Sequence, residues 1–166
     1  MKQEFSSNKD KTRLDAVDRN ILDLLQHDAT LSLNQIANTV GLSPTPCWRR
    51  VQKLEEAGII RSRVALLDGH KLNVGITVFV SIRTNQHNSE WLKKFATSIT
   101  AFPEVVEFYR MSGDIDYLLR VVVPNIEAYD DFYKRLIDVI DLGDVSSSFA
   151  MEQIKYTTAL PLGYAR

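Results

Sequence analysis

The chain has 166 residues, room for one medium domain or two small ones. Hydrophobic residues make up 45% and charged residues 25%, an ordinary globular balance, and no apolar run approaches the roughly 20 residues that span a bilayer. The single cysteine, Cys47, excludes an internal disulfide and fits a reducing cytoplasm. The net charge of −1 hides a division: residues 1–72 sum to +2 and residues 73–166 to −3.

The start, "MKQEFSSNKDKTR", is polar throughout and lacks the apolar core of a secretory signal, so residues 1–13 read as a disordered tail. In "LDAVDRNILDLLQHD", Leu14, Val17, Ile21, Leu24 and Leu25 recur at helical spacing, with Asp15 as cap and Asp18 in the first turn. "SLNQIANTVG" carries a Ser32/Gln35 capping-box pattern and ends on Gly41, a residue suited to a left-handed helix stop.

A third helix opens at Ser43 in "SPTPCWRR", with Cys47, Val51 and Leu54 as its buried stripe and Thr45, Arg49, Gln52 and Glu56 opposite. Ala37, Gly41 and Ser43 have the spacing of a helix-turn-helix: a small residue at the crossing, a tight turn, then a helix free to enter a major groove. An ordinary helical hairpin would look similar, but the basic residues Arg49, Arg50, Lys53, Arg61 and Arg63 favour DNA. With Ser43 as cap, Pro44 and Pro46 fall where a helix has no hydrogen bond to lose, and they stiffen its entry. They also delete two backbone donors, which leaves Thr45 and Cys47 to supply the rest and shifts reading to side chains. The DNA-facing set is therefore Ser43, Thr45, Pro46, Trp48, Arg49, Arg50, Gln52 and Lys53, with Trp48 at the edge of the buried face, where packing outweighs base stacking. "IIRSRVALLD" reads as one or two short strands, a wing that completes a unit over residues 14–67.

Residues 68–73, "DGHKLN", form a polar joint to a second unit over residues 74–162. There, Val74, Ile76, Val78, Val80 and Ile82 alternate as a strand with one buried side. A helix capped by Ser89 follows, with Trp91 or Leu92, Phe95, Ile99 and Phe102 inward. "EVVEFYRM" and "DYLLRVVV" read as strands joined by a turn at "SGDI". A helix with Ile126, Tyr129, Tyr133, Leu136, Ile137 and Ile140 on one face comes next, then a last strand, "VSSSFAMEQIKYT". The order is that of a ferredoxin-like β-α-β-β-α-β sandwich, so the fold class is α+β. Two helices cover one sheet face and leave a mixed surface on the other, where a dimer contact is expected.

Asp114 and Asp116 are the closest paired carboxylates, but no histidine stands near, and His27, His70 and His87 show no ligand spacing. No P-loop, nucleophile elbow or dinucleotide glycine pattern occurs, so neither catalysis, a metal nor a cofactor is expected. Carboxylates at a strand turn suit the ammonium of a small ligand instead. A DNA organiser without an effector, and a ligand-binding domain or enzyme whose helical half only mediates contacts, are the competing readings.

"LDAVDRNILDLLQHDATLSLNQIANTVGLSPTPCWRRVQKLEEAGII", "VALLD", "MSGDIDYLLRVVV" and "SSFAMEQIKYTTALPL" together resemble the leucine-responsive/asparagine-regulator (Lrp/AsnC) family of bacterial transcription regulators, from about Leu14 to Leu162. The resemblance implies an N-terminal winged helix-turn-helix that binds double-stranded DNA and a C-terminal effector and oligomerisation domain. It implies dimers that assemble further, often to octamers, and an amino acid bound between dimers. Carried over by motif, Met111, Ser112, Gly113, Asp114, Ile115, Asp116 and Tyr117 would form the effector loop, with Ser146, Ser147 and Ser148 nearby. "HNSEW", "DDFYKRL" and "SSFAMEQIKYTTALP" are most similar to a subgroup tied to sulfur amino acids, cysteine in particular.

Overall fold

Asp15 and Asp18 start the first helix as a reciprocal pair: each carboxylate accepts the other's backbone N–H, at 2.8 Å for Asp18 N–H and 3.2 Å for Asp15 N–H. This satisfies two of the donors that a helix start leaves open. In the computed structural model, which describes residues 13–86, 88–139 and 143–165, this helix is α1 (Ala16–His27), followed by α2 (Leu33–Thr39) and α3 (Pro44–Glu56). All but Arg13 of the expected tail lies outside the described residues, as do His87 and Ile140.

Ser32 and Gln35 make the anticipated capping box of α2. Its end is a Schellman turn: Leu42 N–H donates to the Ala37 carbonyl and Gly41 N–H to the Asn38 carbonyl, with Gly41 at φ 72°. Ala37 is fully buried, as the close crossing of α2 and α3 requires. Ile21, Leu22, Leu25, Ile36, Cys47, Val51 and Leu54 complete this core.

The described residues up to Ala65, with those from Lys155 onward, form one unit, and Leu66–Ile154 form the other. The return of the chain end to the first unit is not visible in the sequence, where residues 74–162 read as one domain. Leu162, in a short 3-10 turn (Leu162–Tyr164), packs on the first core. The side-chain amide of Gln26 also grips Leu160 on both sides, accepting its N–H at 2.9 Å and donating to its carbonyl at 3.2 Å.

The second unit contains β1 (Ile76–Arg83), α4 (Ser89–Thr100), β2 (Val105–Arg110), β3 (Tyr117–Val123), α5 (Ile126–Val139) and β4 (Asp144–Phe149). The sheet is antiparallel, in the order β2-β3-β1-β4. Val78, Val80 and Ile82 of β1 and Tyr117, Leu119, Val121 and Val123 of β3 pack beneath Phe95, Ile99, Tyr129, Phe132 and Leu136 of the helices. Phe79, Ser81, Tyr109, Leu118, Arg120, Val122, Ser146 and Ser148 alternate to the other face.

Four expectations change. Residues 59–68 form no ladder with any other described segment, and a strand needs a hydrogen-bonded neighbour; Val64, Leu66 and Leu67 stand exposed. The last strand stops at Phe149 rather than near Thr157. Helix α4 is capped by Asn88, whose carboxamide oxygen accepts Trp91 N–H at 2.7 Å, while Ser89 is already its first helical residue. On α5, Ile126 (68% exposed) and Ile137 face outward, and Phe132 takes the central buried place that its stripe in the sequence did not assign.

Candidate functional site

The tip of α3 is built around its prolines. Ser43 has extended backbone and occupies the cap position, yet its hydroxyl makes no capping bond. A capping hydroxyl ordinarily reaches the N–H of the second or third helical residue; Pro46, the third, has none. Cys47 N–H already donates to the Ser43 carbonyl at 3.3 Å, so of Pro44–Cys47 only Thr45 keeps a backbone donor without a helical acceptor. Cys47, expected to share that role, does not.

Ser43, Thr45, Pro46, Trp48, Arg49 and Lys53 are all exposed. Trp48 is 51% exposed, so the packing role favoured from its sequence position is not what the fold gives it. Arg49 has no hydrogen-bond or ion-pair partner among the described residues. Gln52 is half-buried and donates to Glu55, which also pairs with Arg63 at 2.8 Å.

Arg50 differs from its neighbour. Its Nη1 lies 2.7 Å from Asp15 Oδ2 and 2.7 Å from Asp18 Oδ1. The Asp15 carboxyl is held below its ordinary range, first by the Asp18 backbone N–H and then by Arg50. The Arg50 guanidinium is pushed up by Asp18 and then Asp15. Burial raises the Cys47 thiol and keeps it protonated, so it acts as a small apolar side chain.

In the second unit, the loop between β2 and β3 turns at Gly113, at φ 116°. Asp116 is held from three directions: its N–H donates to the Ile82 carbonyl, its carbonyl accepts Met111 N–H, and its carboxylate accepts Thr84 N–H at 2.8 Å. Arg83 Nε donates to the Asp114 carbonyl at 2.6 Å, and Arg83 Nη1 lies 3.9 Å from the Asp144 carboxylate. The Asp114 carboxylate is exposed and has no partner among the described residues. Met111, Ser112 and Gly113 are exposed, Ile115 is half-buried, and Tyr117 is buried in the core with its hydroxyl pKa raised by that burial.

The three serines of β4 are divided by the pleat. Ser147 pairs with Val80 and faces the helices, its Oγ 2.5 Å from the Tyr129 hydroxyl. Ser146 pairs with Ser81 and, with Ser148, faces the open side. The register therefore brings Ser146 to the end of the sheet where Arg83 ties down the loop. Sequence reasoning placed loop and serines near one another but gave no sign of Arg83 and Thr84, because their bonds to the loop span about thirty residues. Among the described residues, no group of three metal-ligating side chains gathers.

Comparison with known proteins accounts for both units. Residues 14–61 match the winged helix-turn-helix DNA-binding family, and residues 77–160 match the Lrp/AsnC ligand binding domain. The DNA-binding transcriptional activator DecR of Escherichia coli is 54% identical over 150 residues, covering 90% of this chain and 99% of that protein. The crystal structure of an AsnC family transcriptional regulator from Agrobacterium tumefaciens superposes with a TM-score of 0.89 at 66% identity, covering 91% of this chain and 99% of that one. A transcriptional regulator of Neisseria meningitidis, solved as an L-Met complex, superposes with a TM-score of 0.87 at 35% identity, covering 91% and 98%. With a winged helix-turn-helix over residues 14–61 and an Lrp/AsnC ligand-binding domain over residues 77–160, the chain belongs to the Lrp/AsnC family of DNA-binding transcription regulators.

Proposed function

We propose that this regulator reads a specific DNA sequence through the side chains of α3 and changes that binding when an amino acid occupies its second unit. The observation that supports the reading is the pairing of Arg49 and Trp48, exposed and without partners among the described residues, with a helix tip at which only Thr45 of Pro44–Cys47 keeps a backbone donor without a helical acceptor. With phosphate capture by backbone N–H groups reduced, Thr45, Trp48, Arg49 and Lys53 carry the contacts, supported by Ser43, Pro46 and Gln52. Arg49 has the forked geometry that grips a guanine edge.

The effector is an α-amino acid, and one with a sulfur-bearing side chain is the first candidate. The sequence segments similar to a sulfur-amino-acid subgroup and the L-Met bound by the Neisseria meningitidis relative support this choice. Asp114 is the ammonium partner, since the Asp116 carboxylate is already engaged by Thr84 N–H. Met111 to Tyr117 frame the site, with Ser146 and Ser148 beside it, where two dimers meet. The homodimer forms through the open sheet face, on which Phe79 and Tyr109 stand exposed, and dimers assemble further, to an octamer.

The test is binding to a duplex from the region upstream of its own coding sequence. Affinity is expected to fall log-linearly with salt and to exceed that for a scrambled duplex. Arg49→Ala is expected to remove the preference and keep the oligomer. Equal affinity for both duplexes in the unsubstituted protein would overturn sequence reading. A thermal-shift screen of the twenty amino acids identifies the effector, because a ligand bound to the native state raises apparent stability.

A further inference from the structure

We propose that Arg50 is a positioning residue for DNA reading: it fixes the roll of α3 against α1 and so sets where Arg49 and Trp48 point. The inference rests on the DNA-reading role proposed for α3, and it assigns Arg50 to the protein rather than to the DNA.

The two aspartates leave no carboxylate oxygen idle. Asp15 Oδ1 accepts Asp18 N–H, Asp18 Oδ2 accepts Asp15 N–H, and the two remaining oxygens, Asp15 Oδ2 and Asp18 Oδ1, both receive Arg50 Nη1. The two acceptors are themselves held by the backbone of the first turn of α1, through Asp18 N–H and Asp15 N–H. Asp18 is largely buried, its side chain 11% exposed, so solvent screens that pair less than a surface pair.

Apolar contact alone leaves the roll soft. Cys47, Val51 and Leu54 form one stripe, and burial of a stripe is not directional. Charge-assisted hydrogen bonds are directional. Arg50 lies three residues after Cys47 and four before Leu54, at the margin of the stripe, where a fixed side chain resists rotation. Arg49, one residue earlier, is turned about 100° away around the helix. Base reading by a forked guanidinium tolerates little displacement, so loss of the tie lowers discrimination more than it lowers attraction to phosphate. For Arg50 itself to reach a phosphate, two ion pairs would have to break.

The experiment uses the full chain with Arg50→Met, Asp18→Asn and the double variant, titrated with the upstream duplex and a scrambled duplex over a range of salt. Both single variants are expected to lose about tenfold in affinity for the upstream duplex, with less than about a twofold change for the scrambled one and an unchanged salt slope. The double variant is expected to lose no more than either single one, because the two residues act as one tie. Equal losses on both duplexes, with the salt slope of Arg50→Met reduced by about 0.9, would make Arg50 a phosphate contact and overturn the proposal. Unchanged discrimination would overturn it too. A second readout needs no DNA: in a Trp91→Phe background, iodide quenching of Trp48 emission is expected to change on Arg50→Met and on Asp18→Asn. If the unsubstituted protein prefers neither duplex, the DNA-reading role fails, and the quenching result alone decides whether Arg50 sets the roll; identical quenching in all variants overturns that.

Discussion

The Tyr129 hydroxyl and Ser147 Oγ lie 2.5 Å apart, joining the first turn of α5 to β4, a strand that pairs on only one side among the described residues. Tyr129 is almost fully buried and also meets Phe149 edge-on, with ring centroids 5.1 Å apart. Burial pushes its hydroxyl pKa up, and Ser147 draws it back, which is the signature of a neutral hydroxyl with a partner. Tyr129→Phe is expected to cost about 1 kcal/mol in urea denaturation, because it strands the Ser147 hydroxyl. Adding Ser147→Ala to that variant is expected to recover part of the loss, since removing both partners leaves no polar group unsatisfied. Additive losses in the double variant would show that the two hydroxyls do not act together.

The two aspartates of the effector loop should separate. Asp116→Ala orphans the N–H of buried Thr84, so an unfolding penalty of about 1–3 kcal/mol is expected. Asp114→Ala removes an exposed carboxylate with no partner among the described residues and is expected to leave the melting temperature unchanged without ligand. It is also expected to abolish the thermal shift that the effector produces. A retained shift in Asp114→Ala would remove that carboxylate from the ligand site.

The chain end should depend on one side chain. Gln26→Ala deletes both hydrogen bonds to Leu160 and leaves Leu162 as the remaining apolar attachment. Faster tryptic cleavage at Lys155 is expected, together with a stability loss of about 1–2 kcal/mol. Cleavage at the unsubstituted rate would mean that the Leu162 contact suffices.

Acid should loosen the tie between α1 and α3. The Asp15 carboxyl is depressed below its ordinary range in the folded protein, so its contribution to stability is complete above the unfolded value of about 4 and is lost as pH falls through the depressed folded value. The melting-temperature difference between the unsubstituted protein and Asp15→Asn is expected to be constant from pH 8 to about pH 5 and to shrink below about pH 4. A difference that already shrinks between pH 7 and pH 5 would point to another titrating group.

The fold was largely legible because its signals are local. Capping pairs, Gly41, and the alternation of Val78, Val80 and Ile82 each depend on residues within one or two turns. Where residues were misassigned, a distant partner or the absence of one decided the outcome. Trp48 looked like a packing residue, but the fold leaves half of it exposed. "IIRSRVALLD", residues 59–68, reads as strand, but no other described segment pairs with it as a ladder. Phe132 escaped because an amphipathic stripe has two margins, and only the position of the sheet shows which is covered.

By itself, the sequence determined that a proline-opened helix follows a glycine turn, that an α+β unit comes second, and that "SGDID" lies between two strands. Those facts follow from backbone stereochemistry and hydrophobic period, which a linear chain displays. Tertiary structure alone decided that Arg50 faces Asp15 and Asp18, that the Asp116 carboxylate is held by Thr84 while the Asp114 carboxylate has no partner among the described residues, and that Gln26 secures Leu160. Each depends on side chains meeting across tens of residues or more, and such meetings are set by how the helices and strands pack, a three-dimensional fact with no local trace in the chain.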